Sequence, residues 1–440
     1  MPSPEFDSDL LILGAGAAGL CAAIRAAELG ARVILAEKNR KPGVKILMSG
    51  GTRCNLTNAR GLRSLRGVTG PIDPAYDPRQ GQGARSIQQA FGPNGKFLAP
   101  ALKSLSVESS VALFEDEGVP TKVEANGKIF PASDKATDVL AALLRRLHRS
   151  GAQLRLNSPV TDVERLEQGF RVHLPDGPLL TRRLLIAVGG QSFPGCGTTG
   201  DGYSIARRFN HTILDPRPAL VPLRVDAEWV PRLKGLTIPD LNAAVIDPSG
   251  VRLLERREAL LFAHFGLTGP AILDVSRAVA RMDASNPLDL SLDFAPDSRP
   301  EALDESLQKS SRNGRRALAH ILPIDIPRRL ADELILAAGI PADRMGPDLS
   351  RPERKRLIAS LKDLRLPVAG TLGFSKAEVT SGGVLLDEVD PSTLESRLAP
   401  GLHFAGEVLD LDGLIGGYNF QAAWSTGWLA GESAANRFTS

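Results

Sequence analysis

The chain has 440 residues, of which 42% are hydrophobic and 23% are charged, the composition of an ordinary globular protein. This length exceeds a usual single core, so two or three domains are expected, and the net charge of +3 gives no reason to expect a nucleic acid partner. The three cysteines are far apart, which excludes a zinc ribbon or a local redox dithiol; no metal site is expected. An acidic N-terminus without a signal peptide or membrane span predicts a cytoplasmic protein.

The first predicted elements form a βαβ unit. A short apolar strand, Leu10 to Leu13, leads into the glycines of GAGAAG, and an alanine-rich helix and a second strand follow. Gly14 allows the tight turn, Gly16 lets the backbone approach a pyrophosphate, and Gly19 lets the helix pack closely. Glu37 ends the second strand, where an acid accepts ribose hydroxyls. The unit predicts a dinucleotide site and favours FAD or NAD over NADP.

Polar loops and helices follow the second strand. The segment KNRKPGVKILMSGGTRCNLTN predicts a loop that wraps a phosphate or a flavin edge, and residues 60 to 84 predict a long surface loop. Apolar spacing predicts helices over Ala84 to Phe91 and Leu102 to Glu117. A further helix is predicted from about Asp134 to Arg149.

A second glycine run, Gly195 to Gly200, also matches G-x-G-x-x-G and precedes a predicted helix. It follows predicted strands at Gln153 to Leu156, Val160 to Arg165, Phe170 to Leu174 and Arg182 to Val188. The run could be an NAD(P)H-binding fingerprint. However, GGQSFP separates it from the preceding strand, so it cannot form the strand-to-helix turn that the motif requires, and we favour a packing role.

The character of the sequence changes near Thr212 and changes back near Val368. Short β-prone segments extend to about residue 296, and polar helical segments extend from about 297 to 360. We therefore expect an inserted substrate or cap module at 212–368 between two parts of a nucleotide-binding domain, 1–211 and 369–440. The last part has a strand at Leu402 to Ala405 and a helix from about Asn419, whose glycine-rich start is aimed at a ligand.

Segments spread over almost the whole chain together resemble the bacterial BaiN-type NAD(P)/FAD-dependent oxidoreductases, also described as aminoacetone oxidase family FAD-binding enzymes. These segments are GAGAAG, GVKILMSGGTRCNLTN, GKIFPASDKATDV, AVGGQSFPGCGTTGDGYSIA, LLFAHFGLTGPAIL, AEVTSGGV and GEVLDLDGLIGGYNFQAAWSTG. The resemblance implies an α/β fold, in which a Rossmann-like FAD-binding domain is split in sequence by a β-barrel-like and helical module. TTGDGYSIA also looks like the TGDG helix start of fumarate reductase flavoproteins, which assigns the second glycine run to the FAD domain.

The resemblance also implies a set of FAD contacts. The implied residues are Gly14, Gly16, Ala17, Ala18 and Gly19 at the pyrophosphate, Glu37 at the ribose, Lys38, Lys45, Ser49, Gly50, Arg53 and Asn55 along the adenosine-to-flavin wall, Val160 at the adenine, Ala187 and Gly189 near the phosphates, Gly406 and Glu407 near the ribitol, and Gly417, Asn419 and Phe420 near the isoalloxazine. Thr52 stands where the family usually has glycine, and its side chain could shift this loop.

The implied activity is FAD-dependent reduction of an activated or carbonyl-conjugated double bond in a small organic substrate, with NADH or NADPH as the transient electron donor. One alternative is an amine or aminoketone oxidase that uses oxygen. Another is a flavin-binding regulatory or RNA-associated protein with basic clusters at Arg312 to Arg316 and Arg351 to Arg356, although solvated helix faces explain these clusters better. A small-molecule substrate is expected, without a nucleic acid or membrane partner.

No catalytic residue is assigned from the sequence. His264 could meet a substrate over the flavin or could be a buried core histidine, and Tyr418 could donate a proton or only pack. Cys54 could be a redox partner, but a structural thiol is favoured. Asp410 and Asp412 are expected to cap or hydrogen-bond their loop. The helix start at residues 416–420 would favour an anionic reduced flavin through its free amides.

Overall fold

The computed structural model describes residues 6–281 and 287–436, without the side chain of Arg66. The chain divides into two compact units. The first comprises Met1–Arg217 and Val379–Ser440, and the second comprises Pro218–Glu378. The first unit is therefore built from two separate parts of the sequence, and the chain crosses between the units near residues 217 and 379.

The regular elements are given in chain order. Up to the second unit they are β1 Ser8–Leu13, α1 Ala17–Glu28, β2 Val33–Ala36, α2 Val44–Thr52, β3 Thr57–Asn58, α3 Ala84–Ala90, α4 Ala99–Ser104, α5 Val107–Glu115, β4 Thr121–Val123, β5 Lys128–Pro131, α6 Ala136–Ser150, β6 Gln153–Arg155, β7 Asp162–Leu166, β8 Gly169–Leu174, β9 Gly177–Ile186, α7 Asp201–Arg208 and β10 Ile213–Ala219. The second unit holds β11 Leu223–Val225, β12 Thr237–Ile246, β13 Arg252–Ala263, β14 Gly266–Thr268, α8 Pro270–Arg281, β15 Asp289–Asp293, α9 Pro300–Arg312, α10 Arg328–Ala337, α11 Arg351–Lys362 and β16 Leu364–Thr371. The last elements are β17 Val379–Val384, β18 Leu402–Phe404 and α12 Tyr418–Asn436.

The main sheet of the first unit has the strand order β6-β2-β1-β9-β8-β7, and β18 also pairs with β9. Strands β6, β2, β1, β9 and β18 pair in parallel, whereas β7 and β8 pair antiparallel. The central strand β1 is almost wholly buried, as its apolar run predicts. Since parallel strands end at one edge, the turns after β1 and β2 lie side by side.

Helices α1 and α12 pack closely because small residues face each other. A Cβ added at Gly427 would come within 2.2 Å of the Ala18 backbone oxygen, and one at Gly431 would come within 2.3 Å of the Ala22 oxygen. Helix α12 could not carry a larger residue at either glycine unless one of the two helices moved. This contact joins the N-terminal and C-terminal parts of the first unit, which are more than 400 residues apart.

Two predictions for the helices of the first unit need correction. The segment around residues 44–52 is the kinked helix α2 rather than only a loop, because Ile46 is 1% exposed and anchors it in the core. The predicted run from Leu102 to Glu117 is divided between α4 and α5, because Ser106 leaves the helical conformation and its side chain accepts from the Ser109 amide. Residues 60–84 contain only short turns before α3, as predicted.

The second unit is a closed barrel with helices. Its strand order is β11-β14-β13-β12-β15-β16, and β16 pairs with both β11 and β15. Residues from the barrel and from α9, α10 and α11 share one apolar cluster, which includes Leu290, Leu307, Leu334 and Leu357. The Rossmann-like split fold with a barrel and helical insert is therefore confirmed. Strand β16 closes the barrel after the helices, so the β part is not continuous in sequence.

Among the described residues, no single helix is both long and apolar enough to cross a membrane. One bent pair, Gly92–Ser104 with Val107–Glu115, passes that test of length and composition when its two parts are taken together. The described residues also contain no group of three or more His, Cys, Asp or Glu that could hold a metal ion.

Candidate functional site

The three glycines of the first run differ in what surrounds them. Gly14 has φ +95° and its added Cβ would lie 2.7 Å from the Ala187 oxygen, while a Cβ at Gly19 would lie 1.8 Å from the Gly14 oxygen. Gly16 has an ordinary φ of −84°, and a Cβ there would meet no protein atom within 4 Å. Close protein atoms thus explain why residues 14 and 19 are glycines. Gly16, in contrast, borders open space that fits a bound pyrophosphate.

The start of α1 suits an anion. Gly16 is its N-cap, no side chain caps it, and its first turn carries no acidic residue. The helix amides of Ala17 and Ala18 begin here, where the positive end of the helix dipole lies. The turn at Gly406 reaches the same place, because its added Cβ would be 2.9 Å from the Ala18 Cβ and its amide donates to Thr426 Oγ1 at 3.0 Å.

Glu37 is held in place by backbone amides. Its side-chain oxygens accept from Ala15 N–H and from Asn39 N–H, each at 2.8 Å, and the residue is 7% exposed. Its backbone oxygen accepts from Ser158 N–H at 2.9 Å, which brings in the segment that leads to Val160. A carboxylate oxygen has more than one acceptor position, so Glu37 is oriented and can still accept ribose hydroxyls.

Two expected cofactor lysines lie in ion pairs that join distant segments. Lys38 donates to Thr199 Oγ1 at 2.7 Å and pairs with Asp201. Lys45 pairs with Glu407 at 2.6 Å. The other oxygen of Glu407 accepts from the Thr380 amide at 2.9 Å, so both of its oxygens are engaged. These contacts fix the positions of the lysines and of Glu407 around the glycine turns.

The kink of α2 places four residues in unusual backbone conformations. Ser49 is extended within the helix span, and Gly50 and Gly51 have φ +55° and +68°. Thr52 has φ +70°, a conformation that is costly for a β-branched residue. The backbone therefore keeps a glycine-like conformation at the position where the sequence departs from the family pattern. The Cys54 amide donates to the Ser49 oxygen at 3.1 Å and closes the turn.

Arg53 and Asn55 are both engaged by protein groups. Arg53 pairs with Glu124 at 2.7 Å, and its guanidinium lies 3.9 Å from the centre of the Phe130 ring. The Asn55 amide, oriented to satisfy its hydrogen bonds, donates to the Thr57 oxygen at 3.0 Å and accepts from Gly417 N–H at 2.9 Å. Both side chains hold the loop, and the Gly417 amide is therefore not one of the free amides at the start of α12.

Backbone and side-chain contacts also fix the loop before α12. Asn58 Nδ2 donates to the Gly416 oxygen at 3.0 Å, and a Cβ at Gly417 would lie 2.4 Å from the Thr57 oxygen. Asn419 accepts from Gly413 N–H at 2.8 Å and donates to the Gly413 oxygen at 3.1 Å. Phe420 stacks on Trp424, with ring centres 5.2 Å apart. The start of α12 carries no acidic residue in its first turn.

A buried chain of hydrogen bonds, which sequence reasoning missed, ties α12 to the rest of the unit. Thr57 Oγ1 donates to Gln421 Oε1 at 2.6 Å, and Gln421 Nε2 donates to Ser110 Oγ at 2.8 Å and to Ser425 Oγ at 2.9 Å. Ser425 Oγ donates to the Leu105 oxygen at 2.7 Å. The sequence signal was a glutamine and a serine one turn apart in the mainly apolar first half of this helix.

The catalytic candidates lie in different surroundings. Tyr418 is 4% exposed within the core of the first unit. His264 lies between β13 and β14 in the second unit, where it is exposed and its ring lies against Phe265, so the core-histidine interpretation is wrong. Cys54 is fully buried, and burial raises the pKa of its thiol to about 12. The favoured structural role of Cys54 agrees with this neutral thiol.

The two loop acids serve as hydrogen-bond acceptors. Asp410 accepts from Asn94 Nδ2 at 2.9 Å and from the Gly382 amide at 3.0 Å. Asp412 is 2% exposed and accepts from Ser381 Oγ at 3.2 Å. These contacts match the loop-holding role expected for both acids.

Two of the three glycines of the second run are packed against protein groups, whereas an added Cβ at Gly195 would meet no protein atom within 4 Å. A Cβ at Gly197 would lie 2.5 Å from Asn39 Nδ2, one at Gly200 would lie 2.7 Å from Gln191 Nε2, and one at Gly189 just upstream would lie 3.1 Å from Thr198 Cγ2. The residues Pro194–Cys196 form a short turn instead of a strand end. The run therefore does not form the strand-to-helix turn of a second nucleotide site.

A parallel sheet, a glycine turn with space at Gly16 and an anchored acid at Glu37 define the class of Rossmann-type dinucleotide-binding proteins. The family model described as HI0933-like protein Rossmann domain matches residues 8–68 and 81–433, so the chain belongs to that family. It is an FAD-dependent oxidoreductase. When bound, FAD supplies two-electron transfer, and the residues described above would hold and orient it.

Relatives match the chain over nearly its full length. A ribosomal RNA dihydrouridine synthase of Escherichia coli is 33% identical over 423 residues, covering 96% of both chains. A second protein of that name, from Haemophilus influenzae, is 31% identical and covers 96% of this chain and 97% of the relative. A 3-dehydro-bile acid delta(4,6)-reductase of Clostridium scindens is 30% identical and covers 97% of this chain and 98% of the relative.

Solved structures share the fold at low sequence identity. A 3-ketosteroid-delta4-(5alpha)-dehydrogenase from Rhodococcus jostii has a TM-score of 0.53 and 15% identity, covering 99% of this chain and 98% of that one. A flavocytochrome c3 fumarate reductase has a TM-score of 0.50 and 17% identity, covering 99% of this chain and 79% of that one. These likenesses bear on the fold alone.

Proposed function

We propose that this protein reduces a carbon–carbon double bond conjugated with a carbonyl, using electrons from NADH or NADPH, and that its substrate is uridine in an RNA. The observation that carries the proposal comes from two relatives that match the chain over nearly its full length. They are named for unlike substrates, but both names describe reduction of the same kind of double bond. Dihydrouridine differs from uridine by saturation of a ring double bond conjugated with a carbonyl, and delta(4,6)-reduction of a 3-dehydro bile acid saturates double bonds in a ketone-bearing ring system.

The net reaction is balanced by the donor and the solvent. NADH or NADPH is oxidised and supplies two electrons with one proton, the solvent supplies a second proton, and the double bond becomes a single bond. Because the second glycine run begins in a turn and its Gly197 and Gly200 face protein side chains, the described residues contain no second Rossmann-type fingerprint for the donor. We therefore propose that donor and substrate use the same opening in turn, so that NAD(P)⁺ leaves before the substrate binds.

Anaerobic stopped-flow absorbance tests the donor. The FAD-loaded protein is mixed with NADH or NADPH in the absence of substrate, and the flavin band is expected to bleach with at least one of them. Failure of both nucleotides to reduce the flavin would rule out the NAD(P)H-driven reaction. Reoxidation of the reduced protein in air, with and without an amine in the first step, tests the oxidase alternative in the same apparatus.

The substrate is tested by reoxidising the reduced protein without oxygen. One arm uses a short uridine-containing RNA hairpin, and the other uses a steroid with a 4-en-3-one group as the small-molecule candidate. Mass spectrometry of the digested RNA is expected to find uridine heavier by two hydrogens. If only the steroid reoxidises the protein, the bond type of the proposal stands and its RNA substrate is wrong.

A further inference from the structure

The small net charge of the chain conceals a strongly basic segment. Residues 38–103 contain twelve Lys or Arg and two Asp or Glu, and no acidic residue lies between Glu37 and Asp73, whereas the whole chain has a net charge of +3. The remainder of the chain is therefore net acidic. A local excess of this size creates a positive surface potential, although the total charge gives no sign of it.

Ion pairs neutralise part of this segment but not all of it. Lys38, Lys45 and Arg53 pair with acids contributed by other parts of the first unit, and Arg79 pairs with Asp77. Within the part of the chain that the structure describes, several basic side chains of this segment form no ion pair with a carboxylate, and three of them are arginines that lie near one another in sequence and structure. These arginines, Arg60, Arg63 and Arg85, are called the basic cluster.

The members of the basic cluster are held near one another by backbone contacts. The Gln82 amide donates to the Arg60 oxygen at 3.0 Å, and a Cβ at Gly83 would lie 3.4 Å from Arg63 Cγ. Arg85 follows Gly83 by two residues in the first turn of α3. Arg63 and Arg85 are exposed, and Arg60 is half-buried. Glu108 accepts from the Arg63 amide, and among the described residues it forms no ion pair with the Arg63 guanidinium.

One side chain joins the basic cluster to the loop before α12. Asn58 Oδ1 accepts from the Arg60 amide at 3.0 Å, and Asn58 Nδ2 donates to the Gly416 oxygen at 3.0 Å. Gly416 is followed by Gly417, Asn419 and the other residues that the family resemblance assigns to the flavin. The cluster is thus fixed to the candidate site by a hydrogen-bonded contact within one compact unit.

We propose that the basic cluster binds the phosphate backbone of the RNA whose uridine is reduced at the flavin site. This inference rests on the proposed function and adds the surface by which the substrate is held. Phosphate contacts position a nucleic acid without reading its sequence, and flexible arginines near a reaction site serve this purpose. A steroid has no phosphates, so the cluster would have no use if the substrate were of that kind.

The test measures RNA binding by the FAD-loaded full chain at several salt concentrations. Fluorescence anisotropy of a labelled uridine-containing hairpin is compared between the parent and the variant Arg60→Gln/Arg63→Gln/Arg85→Gln. Loss of three phosphate contacts is expected to weaken binding on the order of 10- to 100-fold near 0.1 M salt and to reduce the slope of log affinity against log salt by about 2. Equal affinity and slope in variant and parent would overturn the inference.

Two further variants separate position from total charge. Arg312→Gln/Arg351→Gln/Lys355→Gln removes the same charge from exposed positions of the second unit and is expected to bind RNA as the parent does. Arg60→Lys/Arg63→Lys/Arg85→Lys keeps the charge and is expected to retain most of the salt slope. An equal loss in the second-unit variant, or a lysine variant as weak as the glutamine variant, counts against the basic cluster.

Activity measurements distinguish failure of this inference from failure of the proposed function. The glutamine variant is expected to keep its flavin spectrum and its reduction by NADH, and to raise the KM for the RNA hairpin. If the variant forms dihydrouridine as the parent does, the proposed RNA-binding role of the basic cluster is wrong, while the proposed function stands. If RNA binding depends on the basic cluster but the parent forms no dihydrouridine, the RNA-binding role of the cluster stands and the proposed function is wrong. A variant impaired only in its reduction by NADPH would reassign the cluster to the donor's phosphates.

Discussion

The two glycine runs of the first unit obey the same G-x-G-x-x-G spacing and do different things. The first directly follows a buried strand, and its Gly16 borders space that no protein atom fills. The second begins inside a turn, and its Gly197 and Gly200 face the side chains of Asn39 and Gln191. A glycine motif therefore indicates a nucleotide only where the backbone needs space for something other than the protein itself.

The largest expected effect is that of Gly19→Ala in the first run. The new Cβ would lie 1.8 Å from the Gly14 oxygen, and a backbone atom cannot move aside as a flexible side chain does. We expect a loss of about 3 kcal/mol or more in the free energy of unfolding, together with loss of bound FAD. Urea unfolding and the flavin absorbance of the purified protein measure this. A variant that folds and binds FAD normally would contradict the packing assigned to this turn.

The sharpest comparison is Gly16→Ala against Gly195→Ala. Both positions have ordinary backbone angles and no protein atom within 4 Å of an added Cβ, so the apo forms of both variants are expected to be as stable as the parent. Only Gly16 borders the space assigned to the pyrophosphate. We expect about 10- to 100-fold weaker FAD binding, or ~1.4 to 2.7 kcal/mol, for Gly16→Ala and no change for Gly195→Ala.

Titration of the two apo proteins with FAD, followed by flavin fluorescence, measures both affinities. Equal affinities would remove the distinction between the two runs, since Gly195 would then be as close to the cofactor as Gly16. A stability loss in the apo form of Gly16→Ala would show that its glycine serves the fold.

An effect of similar size, but on stability and not on FAD binding, is expected for Gly200→Ala in the second run. Its φ of +79° disfavours a side chain, and the new Cβ would lie 2.7 Å from the flexible Gln191. We expect a stability loss of about 1 to 3 kcal/mol without selective loss of FAD. In the Gln191→Ala background the collision is absent and only the backbone strain remains, so the loss should be smaller. An equal loss in both backgrounds, measured by urea unfolding, would assign the effect to strain alone.

The smallest effect concerns His211, just beyond the helix that follows the second run. Burial lowers the pKa of His211, although nearby Glu388 acts in the opposite direction. The folded protein then binds this proton more weakly than the unfolded chain does. Stability is therefore lost as the pH falls from the unfolded value of 6.5 toward the lower folded pKa. The contribution cannot exceed the slope of one proton, about 1.4 kcal/mol per pH unit.

Urea unfolding across this pH range compares the parent with His211→Gln. The variant is expected to show a shallower dependence of the free energy of unfolding on pH. His148→Gln, at an exposed position on α6, should leave the dependence unchanged and serves as the control. A slope that His211→Gln does not alter would mean that this histidine binds its proton equally well in the folded and unfolded states.

The resemblance of segments spread over almost the whole chain implied FAD as the cofactor, and the changes of composition near Thr212 and Val368 indicated the insert. The βαβ unit and its dinucleotide site were determined by the sequence alone. These features depend on local patterns: an apolar strand, glycines at fixed spacing, and an acid at the end of the next strand. Such patterns lie within a few tens of residues, so they can be recognised without knowledge of the rest of the fold. The sequence also argues against a second nucleotide site, because GGQSFP separates the second glycine run from the strand that precedes it.

Only the tertiary structure decided which of the residues expected to contact the cofactor are instead engaged in contacts with other protein groups. Arg53 is engaged by Glu124 and Phe130, and Asn55 holds the Gly417 amide, although nothing in the local sequence distinguishes them from cofactor ligands. The hydrogen bond from Thr57 to Gln421 joins residues that are 364 positions apart in the sequence. Hydrogen-bond partners and empty space are properties of segments brought together by folding, so a single local pattern cannot specify them.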